Sequence, residues 1–101
     1  MRVLDATEKV STELRESLRT AGIPIDALLR MLHIERATFY RWVRGDNAAN
    51  ELHLNVMKRV LAVLNELIDA GKLPTENKYA STRVFTTALR ERGFYDWFGG
   101  V

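Results

Sequence analysis

At 101 residues, 47% apolar and 28% charged, the chain has the length of one domain and the composition of a globular protein, not a disordered one. A formal net charge of +2 excludes a molecule that binds nucleic acid by bulk charge, so any such binding must come from one face. The absence of cysteine excludes disulfides, thiolate zinc sites and cysteine nucleophiles, and suits a reducing compartment.

Residues 1–9 carry Asp5 and Glu8 where a signal peptide is apolar. No apolar run approaches the ~18 residues of a membrane span. The expectation is a cytoplasmic protein with no membrane partner.

Helix signals dominate in chain order. Asp5 followed by Glu8 resembles a capping box with a carboxylate in place of the usual hydroxyl. Val10, Leu14 and Leu18 then recur every four residues as one apolar stripe. Gly22 closes this first helix, and Pro24 suits the opening of a second over 24–32, with Leu28, Leu29 and Leu32 inward. His33, Ile34 and Glu35 make a short turn. The spacing predicts a third helix over 36–44 in which Phe39 and Trp42 face one way and Arg36, Ala37, Tyr40, Arg41 and Arg44 are left outside. Gly45 supplies a left-handed stop.

After a loop over 46–50, Asn50 is placed to cap a fourth helix over 51–70. Its apolar residues, from Leu52 to Ile68, cover more than one stripe. It is therefore expected to be buried on two sides, one toward the domain and the other open to a second subunit. Gly71 and Pro74 end it. The polar stretch 75–79 reads as a connector to a fifth helix over 81–92, with Val84, Phe85, Ala88 and Leu89 on one face and Gly93 as its stop. The tail holds Phe94, Tyr95, Trp97 and Phe98, aromatics that need cover from the core, a second subunit or a docked protein. No stretch alternates enough for a strand. The fold expected is all-α, a compact bundle of about five helices. Residues 1–74 form the functional domain, and 75–101 form a segment for dimerisation or for covering the core.

Residues 36–45 hold Arg36, Arg41 and Arg44 with no Asp or Glu, a local charge of +3. A helix that reads a DNA groove needs a short rigid link to a supporting helix, an apolar back to fix its angle and long polar side chains in front. Leu28, Leu32, Ile34, Phe39 and Trp42 meet the second need; Arg36, Thr38, Tyr40, Arg41 and Arg44 meet the third. Arginine suits the task because its planar fork matches guanine O6 and N7 and also grips phosphate.

The span 25–45 resembles the helix-turn-helix of the Cro and lambda-repressor class, the Xre family. Leu28 and Leu29 stand at that pattern's apolar and small positions. His33, Ile34 and Glu35 stand at its glycine, aliphatic and serine. Phe39 and Trp42 stand at its later apolar sites, and Gly45 at its closing glycine. The spacing matches throughout; Leu29 is bulkier than the pattern, and His33 and Glu35 replace the turn glycine and capping serine. His33 has to take up a strained or left-handed backbone, at a cost of ~1 kcal/mol. The resemblance implies a lambda-repressor-like fold in which Arg36, Ala37 and Arg41 face base edges. It places Thr38, Tyr40 and Arg44 for phosphates or for either role, and Ala37 against a thymine methyl. Residues 37–42 are also similar to the recognition helices of small insertion-element transposase subunits and TetR-type repressors.

Other chemistries find little footing. His33 and His53 lack metal-ligand spacing, and Glu13 and Glu16 read as solvated surface. No nucleophile elbow or phosphate-cradling glycine loop is present. The chain is expected to be no enzyme and to take no cofactor or metal. Its expected partners are the major groove of double-stranded DNA and a second copy of itself. It is read as a transcriptional regulator, more simply a repressor than an activator, on an inverted repeat. A phage or other mobile-element regulator fits by analogy. The alternatives are an antitoxin that neutralises a toxin and autoregulates its operon, a helical protein-interaction module, and a transposase accessory subunit.

Overall fold

The stripe of Val10, Leu14 and Leu18 becomes the inner face of α1, Val3–Ala21. The computed structural model describes the backbone of residues 3–94 and the side chains of residues 6–94. Because α1 is already helical at Val3, it does not start at the Asp5–Glu8 capping box expected from sequence; the Asp5 side chain lies outside the described residues. Four more helices follow: α2, Ile25–Leu32; α3, Arg36–Arg44; α4, Glu51–Asp69; and α5, Lys78–Glu91. No strand occurs among the described residues.

Two asparagine caps set the starts of the C-terminal helices. Asn50 Oδ1 accepts the His53 N–H at 2.8 Å, satisfying a donor that the first turn of α4 leaves unpaired. Asn77 Oδ1 does the same for the Ala80 N–H at 2.9 Å. The second cap corrects the expected connector over 75–79, since α5 begins at Lys78 and takes in its last two residues. Apolar periodicity missed this turn because Tyr79, its large side chain, is 73% exposed.

One core joins all five helices. Leu14 and Leu18 of α1, Leu28 of α2, Phe39 of α3, Met57, Val60 and Leu64 of α4, and Phe85 and Leu89 of α5 are each at most 1% exposed. The broad apolar girth of α4 is explained within the chain: α1 runs along it and α5 packs on it too. Val56 and Val63 are buried along with Leu54, Met57, Val60, Leu61, Leu64 and Leu67. The side of α4 expected to await a second subunit is thus covered by the chain's own helices, and only Leu52 remains a large exposed apolar residue on it. Phe94 is buried as well, its ring under the Arg59 guanidinium at 4.7 Å. Tyr95, Trp97 and Phe98 lie outside the described residues.

Buried Thr7 and Ser81 tie loops to helices, and buried Ser11 bonds within α1. Thr7 Oγ1 accepts the Ala49 N–H at 3.1 Å, linking the α3–α4 loop to α1. Ser11 Oγ donates to the Thr7 carbonyl at 2.6 Å. Ser81 Oγ accepts the Thr75 N–H at 2.9 Å, holding the α4–α5 loop to α5. Among the described residues no helix is long and apolar enough to cross a membrane.

Candidate nucleic-acid interface

The link between α2 and α3 is three residues long, and its shape depends on His33. This residue has φ 56° and ψ 43°, the left-handed conformation expected at this position, and among the described residues it is the only non-glycine with positive φ. Left-handed backbone lets the chain turn back at once: the His33 N–H donates to Arg30 O at 3.4 Å and the Ile34 N–H to Leu29 O at 3.0 Å. That pair of bonds closes the carbonyl end of α2. Ile34 is buried and pins the turn to the core. Glu35, at the serine position of the pattern, makes no side-chain cap bond to α3.

The far end of α3 closes in the same way. Gly45 has φ 79°, its N–H donates to Trp42 O at 3.0 Å, and the Asp46 N–H donates to Arg41 O at 2.9 Å. A Cβ at Gly45 would also meet Glu8 Oε2 of α1 at 2.8 Å. This position therefore asks for glycine on conformation, while the flexible, exposed Glu8 side chain can swing aside from a Cβ.

Between those two closures the back of α3 is fixed by aromatic packing. Phe39 and Trp42 are 1% and 4% exposed. Their rings meet at 6.3 Å edge to face, and the Trp42 ring lies 5.6 Å from the His53 ring on α4. His53, unassigned from sequence, thus serves as a packing partner that helps to hold α3 on α4.

The opposite face is open. Ala37, Arg41 and Arg44 are exposed at successive turns of α3, and Arg36 is exposed at its start. Thr38 and Tyr40 are half-buried, so Tyr40 is less open than its place outside the apolar stripe implied. Its ring meets Phe39 edge-on at 6.0 Å. Two guanidiniums lie against it: Arg36 at 5.7 Å and Arg15 of α1 at 5.6 Å.

The face is also less basic than its ten-residue window. Arg36 pairs with Asp26 of α2 at 3.5 Å, and Arg44 Nε with Asp46 at 3.0 Å, both pairs half exposed to solvent. Exposed pairs of this kind are weak, ~0–1 kcal/mol, so a stronger anionic partner displaces them. The guanidinium of Arg36 is held above its ordinary value, first by the neighbouring Tyr40 side chain and then by the charge of Asp26. Arg41 makes no ion pair among the described residues.

The partner of Arg44 lies two residues downstream and was open to sequence reading. Arg15 was not, because only the crossing of α1 over α3 brings it to Tyr40. Comparison with protein-family models, with curated proteins and with solved structures finds no significant match.

Proposed function

We propose that the chain is a sequence-specific double-stranded DNA-binding transcriptional regulator that lays α3 in the major groove. In this reading α2, the His33–Glu35 turn and α3 act as a helix-turn-helix of the Cro and lambda-repressor type. The observation that carries it is the division of α3 into two faces: Phe39 and Trp42 locked in the core, and Ala37, Arg41 and Arg44 standing open on consecutive turns. Such a helix presents arginine forks at a fixed angle, which base recognition needs.

One helix this short reads ~4–5 base pairs, so useful selectivity calls for a homodimer on an inverted repeat with half-sites about one turn apart. Repression by occluding a promoter is the simplest action, since it needs no more than binding. A reducing cytoplasm suits a protein without cysteine.

The test is selection from random duplex DNA by the purified protein, with the Arg36→Ala/Arg41→Ala double variant as control. A palindromic consensus that the variant loses supports the proposal. No enrichment by protein shown to be folded rejects it.

A further inference from the structure

Tyr40 is flanked by two arginines from different helices, and only one of them belongs to α3. The four side chains Asp26, Arg36, Tyr40 and Arg15 follow one another in contact across α2, α3 and α1. They lie on the Tyr40 side of α3, beside the exposed row of Ala37, Arg41 and Arg44. We propose that Arg15, Tyr40 and Arg36 together hold one backbone phosphate of the duplex. Arg36 then positions the protein on the DNA instead of reading a base, and Arg15 makes α1 a third contributor to the interface. This rests on the DNA-binding reading above.

Three observations converge on a phosphodiester as the ligand. First, the cluster is cationic where it meets solvent. Arg15 makes no ion pair among the described residues, and the one acid in the row, Asp26, holds Arg36 through a half-exposed contact of 3.5 Å. A phosphate oxygen offers Arg36 a stronger acceptor than that carboxylate does at that distance.

Second, the donors are held in place. Tyr40 is half-buried, wedged edge-on against Phe39, and covered by both guanidiniums. Its hydroxyl carries one O–H hydrogen to donate, and the Arg36 guanidinium stands 5.7 Å from the centre of the same ring. Two guanidiniums, 5.6 and 5.7 Å from the centre of one ring, and the hydroxyl that ring carries offer several donors to a tetrahedral anion with several acceptor oxygens.

Third, the place in the helix is right. Arg36 and Tyr40 are one turn apart on the flank of α3 that turns toward α1, whereas Ala37, Arg41 and Arg44 occupy the middle of its open face. When a helix lies in a groove, its middle row faces the bases and its flank faces the backbone at the groove's edge.

Phosphate contacts and base contacts fail differently when cut. Loss of a phosphate contact weakens binding to every sequence and lowers the salt slope by about one, while loss of a base contact relaxes preference at one position. The test is binding of the full chain to a labelled duplex of about 20 base pairs and arbitrary sequence, titrated with salt. The variants are Arg15→Ala, Arg15→Lys and Tyr40→Phe.

Arg15→Ala is expected to weaken binding about tenfold at low salt and to lower the slope by about one. Tyr40→Phe is expected to weaken binding severalfold with the slope kept, and Arg15→Lys to keep the slope with part of the affinity lost, since charge remains without the planar fork. Arg15→Ala with wild-type affinity and slope, on a duplex that the wild type binds with a salt-dependent affinity, overturns the clamp and leaves the DNA-binding reading intact. Failure of the folded wild type to bind any duplex overturns both.

Discussion

The Ala49 N–H reaches the hydroxyl of Thr7 at 3.1 Å, and this buried bond ties the loop that leaves α3 to α1. Ala49 itself is 3% exposed and Thr7 fully buried, so neither partner has water as a ready substitute. Thr7→Val keeps the shape and removes the acceptor. A buried donor left unsatisfied costs about 1–3 kcal/mol, so the variant is expected to melt several degrees lower with its helix content unchanged. An unchanged melting temperature in circular dichroism would show that the loop reseats at no cost.

The two left-handed residues at the ends of α3's frame predict opposite signs. His33 carries a Cβ where only glycine is at ease, and it is exposed. His33→Gly removes strain of about 1 kcal/mol and gives part of it back through the freer unfolded chain, for a small net gain in stability. Gly45→Ala adds that strain and makes the end of the Glu8 side chain move aside, so it is expected to destabilise by about 1 kcal/mol. Denaturant melts of both variants check the pair; a loss of stability in His33→Gly would contradict the strain assigned to the turn.

Phe39 anchors the angle of α3 by burial. Phe39→Ala is expected to cost about 3–5 kcal/mol, a large share of the stability of a domain this size. Because the ring also supports Tyr40, the same change disturbs the exposed face it never reaches. Thermal unfolding followed by circular dichroism measures the loss, and a shift of only a few degrees would mean that the core refills around the gap.

Where periodicity and cap chemistry agreed, the elements were legible from residues alone. Phe39, Trp42 and Gly45 bounded α3 at Arg36–Arg44, and Asn50 placed the start of α4. The left-handed turn at His33 was expected too, from the glycine position that residue holds in the resemblance to the Xre-type pattern. Legibility failed where a neighbour decided the outcome. Nothing local says that α5 covers the second apolar side of α4, and a helix apolar on two sides reads equally well as a subunit interface. The first turn of α5 escaped because Tyr79 faces solvent and only the Asn77 cap marks it. Within the candidate site the α3 face was readable, because it follows from one helix's own spacing. Arg15 was not, because it reaches Tyr40 from a helix that crosses at an angle no local pattern encodes.

Arg41 carries the proposal's sharpest expectation. It is exposed in the middle of α3's open face, one turn from Ala37, and no ion pair among the described residues has to be broken before it acts. Its fork is free to take two acceptors on one base, a contact that discriminates by about 1–3 kcal/mol against the wrong pair. Arg41→Ala is therefore expected to lose that amount on the selected duplex and to accept substitutions at one base position per half-site, with stability unchanged within about 0.5 kcal/mol. Arg44 begins from a half-exposed pair with Asp46, so Arg44→Ala gives up less and is expected to cost less. Competition binding with duplexes varied one position at a time reads both effects. A uniform loss across all positions for Arg41→Ala would move that arginine to the backbone and leave α3 without its principal reader.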